Sequence, residues 1–356
     1  MDYIEIKGYK SIKSAKIDFK PINILIGANG SGKSNFLSFF EFLNRLYERK
    51  LTEYVALSGG EDKMLHRGSK ITTSIYSKIK QGLNAYSFEI KKGEGTFIFV
   101  SEGLWYDRNP YVENPIDISD FRSEANIKMY NKPRAAYIRR YLNSFKKYHF
   151  HDTSRNSPFT QPSHIQNDIY YLYEKGNNLA AFLYGIQQTN KIVYGRILKT
   201  IQSIAPYFSD FYFQPNSENY IRLQWQDKYS DIIYGVNDLS DGTIRFIALA
   251  TLFMQPDLPA TIIIDEPELG LHPTAISKLA GMIKSAASKN CQIIVATQST
   301  DLISHFKPED IITVDQVNGE SVFKRLTNET LGPWLEDYTI DDLWKRNIIT
   351  TGQPNY

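Results

Sequence analysis

The chain opens with short runs in which apolar and polar residues alternate, Tyr3-Ile4-Glu5-Ile6 and Ala15-Lys16-Ile17-Asp18-Phe19. A period of two turns one face of each run toward a core, so both predict half-buried strands. Ile22-Asn23-Ile24-Leu25-Ile26 is more continuously apolar and stops at Gly27, the pattern of a strand buried on both faces. After Ser34 the period changes. Phe36, Leu37, Phe40, Leu43, Leu46 and Tyr47 recur at helical spacing and predict one apolar stripe on a helix of about four turns.

Alternation returns in Tyr86-Ser87-Phe88-Glu89-Ile90 and Thr96-Phe97-Ile98-Phe99-Val100, and the intervening Lys-Lys-Gly-Glu-Gly predicts an antiparallel hairpin. Residues 107–165, rich in Asn, Pro, Asp, Ser, Tyr and Arg, read as an insertion of long loops with one helix near 134–148. A helical stretch comes next, near 177–205, then short strands at Phe211–Phe213 and Ile221–Leu223. The last third alternates between types. A helix at Thr243–Met254 precedes a strand at Thr261–Ile264, and Pro273 opens a helix through Ile276, Leu279, Ala280 and Ile283. Strands at Gln292–Thr297 and Ile311–Val314 complete the series. Strands alternating with helices imply a parallel sheet. The expected fold is therefore α/β, with a mostly parallel central sheet, an antiparallel β subdomain and a helical insertion. The expected divisions are an N-terminal lobe at 1–106, the insertion at 107–210 and a C-terminal lobe at 211–356.

With 356 residues, 42% hydrophobic and 22% charged, the chain can bury a full core and shows no tendency to disorder. Net charge is only +2, so any attraction for nucleic acid must be local. The single cysteine, Cys291, excludes an internal disulfide framework and a cysteine zinc site. Its place at the edge of an apolar run makes it a small core residue rather than a reactive thiol. No stretch approaches the length of a membrane span, and Met1–Glu5 lacks the basic-then-apolar order of a signal peptide. The expected location is the cytoplasm.

The strongest chemical signal is Gly27-Ala28-Asn29-Gly30-Ser31-Gly32-Lys33-Ser34, which fits G-x-x-x-x-G-K-[ST]. A glycine-rich turn can match by chance, but here a buried strand precedes it and an amphipathic helix succeeds it. Glycines let backbone N–H groups converge on phosphate oxygens, and the helix N-terminus adds partial positive charge. Lys33 is expected to reach the β- and γ-phosphates and Ser34 to ligate Mg²⁺. A second signal is Ile262-Ile263-Ile264-Asp265-Glu266, an apolar strand ending in adjacent carboxylates. Asp265 is suited to the Mg²⁺ shell and Glu266 to polarising a water as general base. Alone, such a pair is often two solvated charges. The third is Leu239-Ser240-Asp241-Gly242-Thr243, a turn opening the helix before that strand, where Ser240 and Gly242 offer a hydroxyl and N–H groups to a phosphate.

Together these residues carry a resemblance. Leu239–Thr243 resembles the ABC signature, while Asp265-Glu266-Pro267-Glu268 and Leu269-Gly270-Leu271-His272-Pro273 resemble the Walker B and D-loop segments of RecF, SMC and OLD-like ATPases. Gly8-Tyr9-Lys10-Ser11-Ile12 resembles the opening motif of that group. The likeness covers the chain in outline and is nearest to small single-chain bacterial ATPases found in phage-defence or toxin-like gene clusters. It implies a P-loop ATPase head that binds ATP and Mg²⁺. Lys10, Ser11, Asn29, Gly30, Ser31, Gly32, Lys33, Ser34 and Asn35 would line the nucleotide. Ser240, Asp241 and Gly242 would meet the γ-phosphate held by a second copy in a homodimer. Glu266, Lys33 and Gln298 would be catalytic. Two departures imply slow turnover: Asp241 stands where glycine is usual, and Gln298 replaces the switch histidine and cannot carry its charge. Gln81 lies in the interval of the Q-loop but reads better as a solvated loop residue.

The interval from Lys33 to Ser240 is too short and too poor in heptads for a long coiled coil, and the segment beyond Gln298 is too short for a fused Toprim nuclease. An effector, nuclease or toxin, is therefore expected on another polypeptide; the alternatives are a RecF-like DNA-repair ATPase that binds DNA directly and a nucleotide-gated scaffold with negligible hydrolysis. Arg134, Arg139, Arg140, Lys146 and Lys147, interleaved with Tyr137, Tyr141, Phe145 and Tyr148, offer either a nucleic-acid contact or the solvated face of a helix whose rings pack inward. His149 and His151 beside Asp152 invite a metal reading, but without further ligands nearby to complete a site, structural hydrogen bonding by Asp152, Thr153 and Ser154 is the better reading. Trp334-Leu335-Glu336-Asp337-Tyr338 and Leu343-Trp344 read as a packed tail or a docking surface.

Overall fold

The first two apolar runs pair as antiparallel strands, Tyr3–Tyr9 (β1) and Ile12–Asp18 (β2), with Ile4 opposite Ile17 and Ile6 opposite Ala15. The tight turn between them holds Lys10 in the left-handed region, at φ 46°. Beyond β1 the sheet continues through Ser74–Gln81 (β4), Asn84–Lys92 (β5) and Phe97–Tyr106 (β6), all antiparallel. The β5–β6 hairpin is the expected one. In β4, Ile75, Ser77 and Ile79 are buried in alternation, so that strand obeys the same period as its neighbours. Gln81 ends β4, exposed at the turn into β5. The computed structural model describes residues 1–106, 115–335, 337–346 and 348–349.

The buried run Ile22–Ile26 (β3) pairs in parallel with the strand Ile311–Val317, which in turn pairs antiparallel with Glu320–Arg325. The helix after it, Lys33–Tyr47 (α1), is buried on more than the one predicted stripe. Phe36 meets Phe323 at 5.2 Å and Phe40 meets Phe145 at 5.3 Å, while Phe39 and Phe42 pack on Tyr9 at 4.8 and 5.5 Å. Each buried phenylalanine contributes about 2–3 kcal/mol. The start of α1, and the loop before it, are thereby fixed firmly. Glu102 of β6 is buried too. It accepts hydrogen bonds from the Tyr86 hydroxyl (2.8 Å) and the N–H groups of Asn126 (2.8 Å) and Ile127 (2.9 Å), tying the start of the insertion to the sheet.

Three expectations change. The insertion helix is Pro133–Asn143 and does not run to 148: the Ser144 hydroxyl bonds the Tyr141 carbonyl at 2.7 Å, and Lys146–Tyr148 is a short strand. The helical stretch near 177–205 is two helices, Leu179–Thr189 and Lys191–Gln202. Asn190 breaks it with non-helical backbone (φ −145°, ψ 76°), and its side chain accepts from the Val193 N–H. The strands placed at Phe211–Phe213 and Ile221–Leu223 lie at Phe208–Phe211 and at Tyr220–Ile221 with Gln224–Asp227, register slips within loop-rich sequence.

By its internal contacts the chain divides into two compact units. One holds Met1–Lys147, Ala260–Ile263 and the described residues from Lys307 on; the other holds Tyr148–Pro259 and Ile264–Phe306. In the second unit Phe208–Phe211, Gln224–Asp227 and Ile233–Gly235 form an antiparallel sheet whose Trp225 stacks on Phe208 and Tyr234. Helices Asp241–Met254 and Pro273–Ser288 and the strand Gln292–Thr297 lie where the sequence predicts them. The fold is thus α/β, with a parallel-containing sheet and antiparallel sheets. Cys291 is buried. Among the described residues no helix is long and apolar enough to cross a membrane.

Candidate functional site

In the first unit the loop between β3 and α1 is shaped by its backbone. Gly27 passes so close to the neighbouring strand that a Cβ would overlap the Val314 carbonyl. Gly32, at φ 110°, is the N-cap of α1, and a Cβ there would overlap the Ser321 hydroxyl and sit 2.9 Å from Ser11 Oγ. Only glycine satisfies both the angle and the space. Lys33 is buried and curls back over the loop, donating to the carbonyls of Gly27 (2.6 Å) and Ala28 (3.0 Å). Asn29, Gly30 and Ser34 are exposed on the rim. The Ser31 hydroxyl is buried without a hydrogen-bond partner, an oxygen left over by the protein's own network.

Hydroxyls lock the loop from behind. Ser321 Oγ donates to the Ser31 carbonyl at 2.7 Å and lies 2.8 Å from Ser11 Oγ, which also accepts from Asn35 Nδ2 at 2.9 Å. The expected neighbours Ser11, Ser31 and Asn35 are therefore brought together, with Ser321 at their centre. Lys10 points elsewhere: its ammonium donates to Ser38 Oγ at 2.9 Å, and burial holds its pKa below that of an ordinary lysine. Its carbonyl meets His66 Nδ1 at 2.8 Å.

The second unit carries the carboxylates. Asp265 ends the strand Thr261–Asp265, and His151 Nε2 lies 3.0 Å from its carbonyl oxygen. Glu266 sits at φ 41°, a strained left-handed conformation for a residue with a side chain, and its N–H donates to the Ala296 carbonyl at 2.7 Å. Gln298 Nε2 donates to Glu266 Oε1 at 2.8 Å. Glu268, two positions beyond Glu266, is buried against the same segment: its carboxylate accepts from the Thr297 hydroxyl and from the Gln298 N–H, and its Oε2 makes no hydrogen bond. Burial raises its pKa to about 6, partly offset by the Thr297 hydrogen bond.

In the same unit Ser240 caps the helix Asp241–Met254 and hydrogen-bonds the Thr243 hydroxyl at 2.8 Å; Asp241 stands in the first turn. A Cβ on Gly242 would lie 2.5 Å from the Gly270 carbonyl, so this helix start packs on the Leu269–Pro273 segment. Arg245 bolts the two, donating to the carbonyls of Leu269 and His151, each at 2.8 Å.

Ser321 and Arg245 escape a functional reading of the sequence, and Glu268 enters it only as part of the Asp265–Glu268 segment, with no role of its own. Asn318-Gly319, both at positive φ, does announce a hairpin and hence a strand through Ser321, but nothing local says what that hydroxyl will meet. Among the described residues no group of three or more His, Cys, Asp or Glu could hold a metal, and His151 serves the Asp265 backbone instead. The basic segment fits the packed-helix reading: Tyr141, Phe145 and Tyr148 are buried, Tyr137 is 70% exposed, and Arg139 braces the carbonyls of Lys128 and Tyr130. The Arg134 side chain lies outside the described residues. In the C-terminal run Leu343 is buried and Trp334 is 46% exposed; the Leu335 side chain and Glu336 lie outside the described residues.

The family model described as "AAA domain, putative AbiEii toxin, Type IV TA system" matches residues 22–304, from β3 to beyond the Gln298 segment. The fold is similar to that of an SMC head crystallised bound to the C-winged helix domain of ScpA, with a TM-score of 0.63 and 17% identity over 93% of this chain and 99% of that one. It is also similar to an Smc head with an extended coiled coil bound to the C-terminal domain of ScpA, derived from Pyrococcus furiosus. There the TM-score is 0.62, with 15% identity over 94% of this chain and 98% of that one. The sequence matches no curated protein.

Proposed function

We propose, from the premise that this chain belongs to the AAA-domain family whose model spans its residues 22–304, that it binds and hydrolyses ATP and uses the nucleotide state to control a partner protein. The observation that carries the reading is the loop Gly27–Ser34. Gly27 and Gly32 have no room for a side chain, its lysine is held against the loop's own carbonyls, and its Ser31 hydroxyl is buried without a partner. A phosphate chain would give Lys33 a better partner than two neutral carbonyls, and charge-assisted hydrogen bonds are roughly twice as strong as neutral ones.

Within this reading Glu266 takes a proton from the water that attacks the γ-phosphate, and Gln298 orients that carboxylate. The Ser34 hydroxyl and the Asp265 carboxylate are oxygen donors of the type that would hold Mg²⁺, whose chemistry would be to neutralise phosphate charge. Ser240, Asp241 and Gly242, at the start of an α-helix, are suited to a γ-phosphate. We assign them to the nucleotide of a second copy, so that ATP closes a homodimer and hydrolysis reopens it. The effector so gated would be a nuclease or toxin in bacterial antiphage defence, a role for which the family's toxin–antitoxin description is the support.

A second reading, a nucleotide-gated scaffold with negligible hydrolysis, is favoured by one contact: Gln298, which cannot carry charge, occupies an oxygen of Glu266. Phosphate release and dimerisation, measured together on the full chain with Mg²⁺-ATP, separate the two. Dimerisation with turnover supports the first. Dimerisation without turnover supports the second, and neither response overturns both.

A further inference from the structure

Glu268 has no part in the chemistry proposed for Asp265 and Glu266, yet it is the more deeply buried carboxylate of the segment. Two contacts of its carboxylate lead to one place. The Thr297 hydroxyl donates to Glu268 Oε1, and the same hydroxyl oxygen accepts the Ser299 N–H at 2.9 Å. The intervening Gln298 gives its backbone N–H to the Glu268 carboxylate and its side-chain amide to Glu266. One carboxylate thus holds the backbone on both sides of the residue that orients the other. A buried carboxylate oxygen left without a partner, Oε2, adds a cost that packing alone does not call for.

We infer that Glu268 is a positioning residue: through Thr297 and the Gln298 backbone it sets where the Gln298 amide meets the Glu266 carboxylate. The inference rests on Glu266 being the base of the proposed hydrolysis. Gln298 lies between the end of a strand and Ser299, the N-cap of the next helix, and is itself exposed, so the Glu268 carboxylate is what holds its own N–H. A displacement of about 1 Å in a group that aligns the reacting partners costs about 100-fold in rate. Nucleotide affinity depends on the phosphate loop, not on this clamp, and should be spared.

The test uses the full chain and four variants: Glu268→Ala, Glu268→Gln, Gln298→Ala and the double Glu268→Ala/Gln298→Ala. Glu268→Ala should lower kcat about 10- to 100-fold with KM changed less than about 2-fold. Glu268→Gln keeps a carbonyl oxygen for Thr297 and Gln298 and should restore most of the loss. The double variant should be no slower than Gln298→Ala, because Glu268 acts through that residue. Additive losses in the double variant, or wild-type kcat in Glu268→Ala, would overturn the inference. A readout independent of turnover is solvent exchange of the Gln298 side-chain amide, followed by ¹⁵N NMR after glutamine labelling. Exchange should accelerate in Glu268→Ala and return toward wild type in Glu268→Gln; unchanged exchange in a Glu268→Ala protein of native melting behaviour would also overturn it. A wild-type chain without turnover would defeat the ATPase reading, and the exchange experiment would still decide the positioning role.

Discussion

In the loop Gly27–Ser34 the backbone does the shaping, and side chains from elsewhere in the first unit lock it from behind; in Asp265–Glu268 side chains do the holding while the backbone is bent out of its preferred region. The loop has its positive φ at glycines and its hydroxyl anchor at Ser321. The carboxylate segment has its positive φ at Glu266 and leans on Gln298 and Thr297. Binding an anion through N–H groups needs a backbone cradle that forms without steric strain, which glycine supplies. Placing a carboxylate needs a side chain at that point, and the strain is the cost of having one.

The sharpest way to break the comparison is Gly32→Ala. The φ of 110° and the overlap with Ser321 act together, so stability should fall by about 3 kcal/mol and nucleotide affinity by more than about 100-fold. Urea denaturation and fluorescent-nucleotide titration would read the two effects.

Glu268 gives a test through pH. Burial raises it to about 6, against 4.5 for an ordinary glutamate. Between those values the folded chain keeps a proton that the unfolded chain releases, so stability falls as pH rises. The group is without effect below about 4.5 and costs about 2 kcal/mol above about 6. Relative to Glu268→Gln, which cannot ionise, the wild type should lose that amount between about pH 4 and about pH 7. A constant difference in unfolding free energy would deny the raised pKa.

Smaller effects sharpen the same contrast. Glu266→Gly relieves the left-handed strain and should stabilise the fold by about 1 kcal/mol while abolishing turnover. Lower stability in that variant would mean that the segment is not strained. Ser321→Ala removes the hydroxyl behind the loop and should cost about 1 kcal/mol with a few-fold loss of nucleotide affinity.

The same division separates the parts of the molecule that are legible in the sequence from those that are not. Wherever a local pattern decides the structure, as in β3, the loop and α1, or the strand Gln292–Thr297, the elements stand as the alternation and periodicity predict them. The helix expected through 148 ends instead at Asn143, because Ser144 turns its hydroxyl onto a carbonyl and Tyr148 and Phe150 already alternate as in a strand. The break at Asn190 is hidden because both flanking segments are strongly helical. Ser321 is illegible for a deeper reason: its partners Ser11 and Ser31 lie near the opposite end of the chain, and one serine in a strand carries no sign of what it will touch. Arg245 and Glu268 likewise acquire meaning only from the carbonyls and hydroxyl that the fold brings to them.

The central claim is that Gly27–Ser34 holds ATP and Glu266 activates the water that cleaves it. Phosphate release and ATP binding, measured side by side on wild type and Glu266→Gln in Mg²⁺-ATP, test it most directly. The account predicts ATP affinity unchanged within about 2-fold in Glu266→Gln and turnover reduced by about 100-fold or more. Glu266→Gln releasing phosphate at the wild-type rate would contradict it.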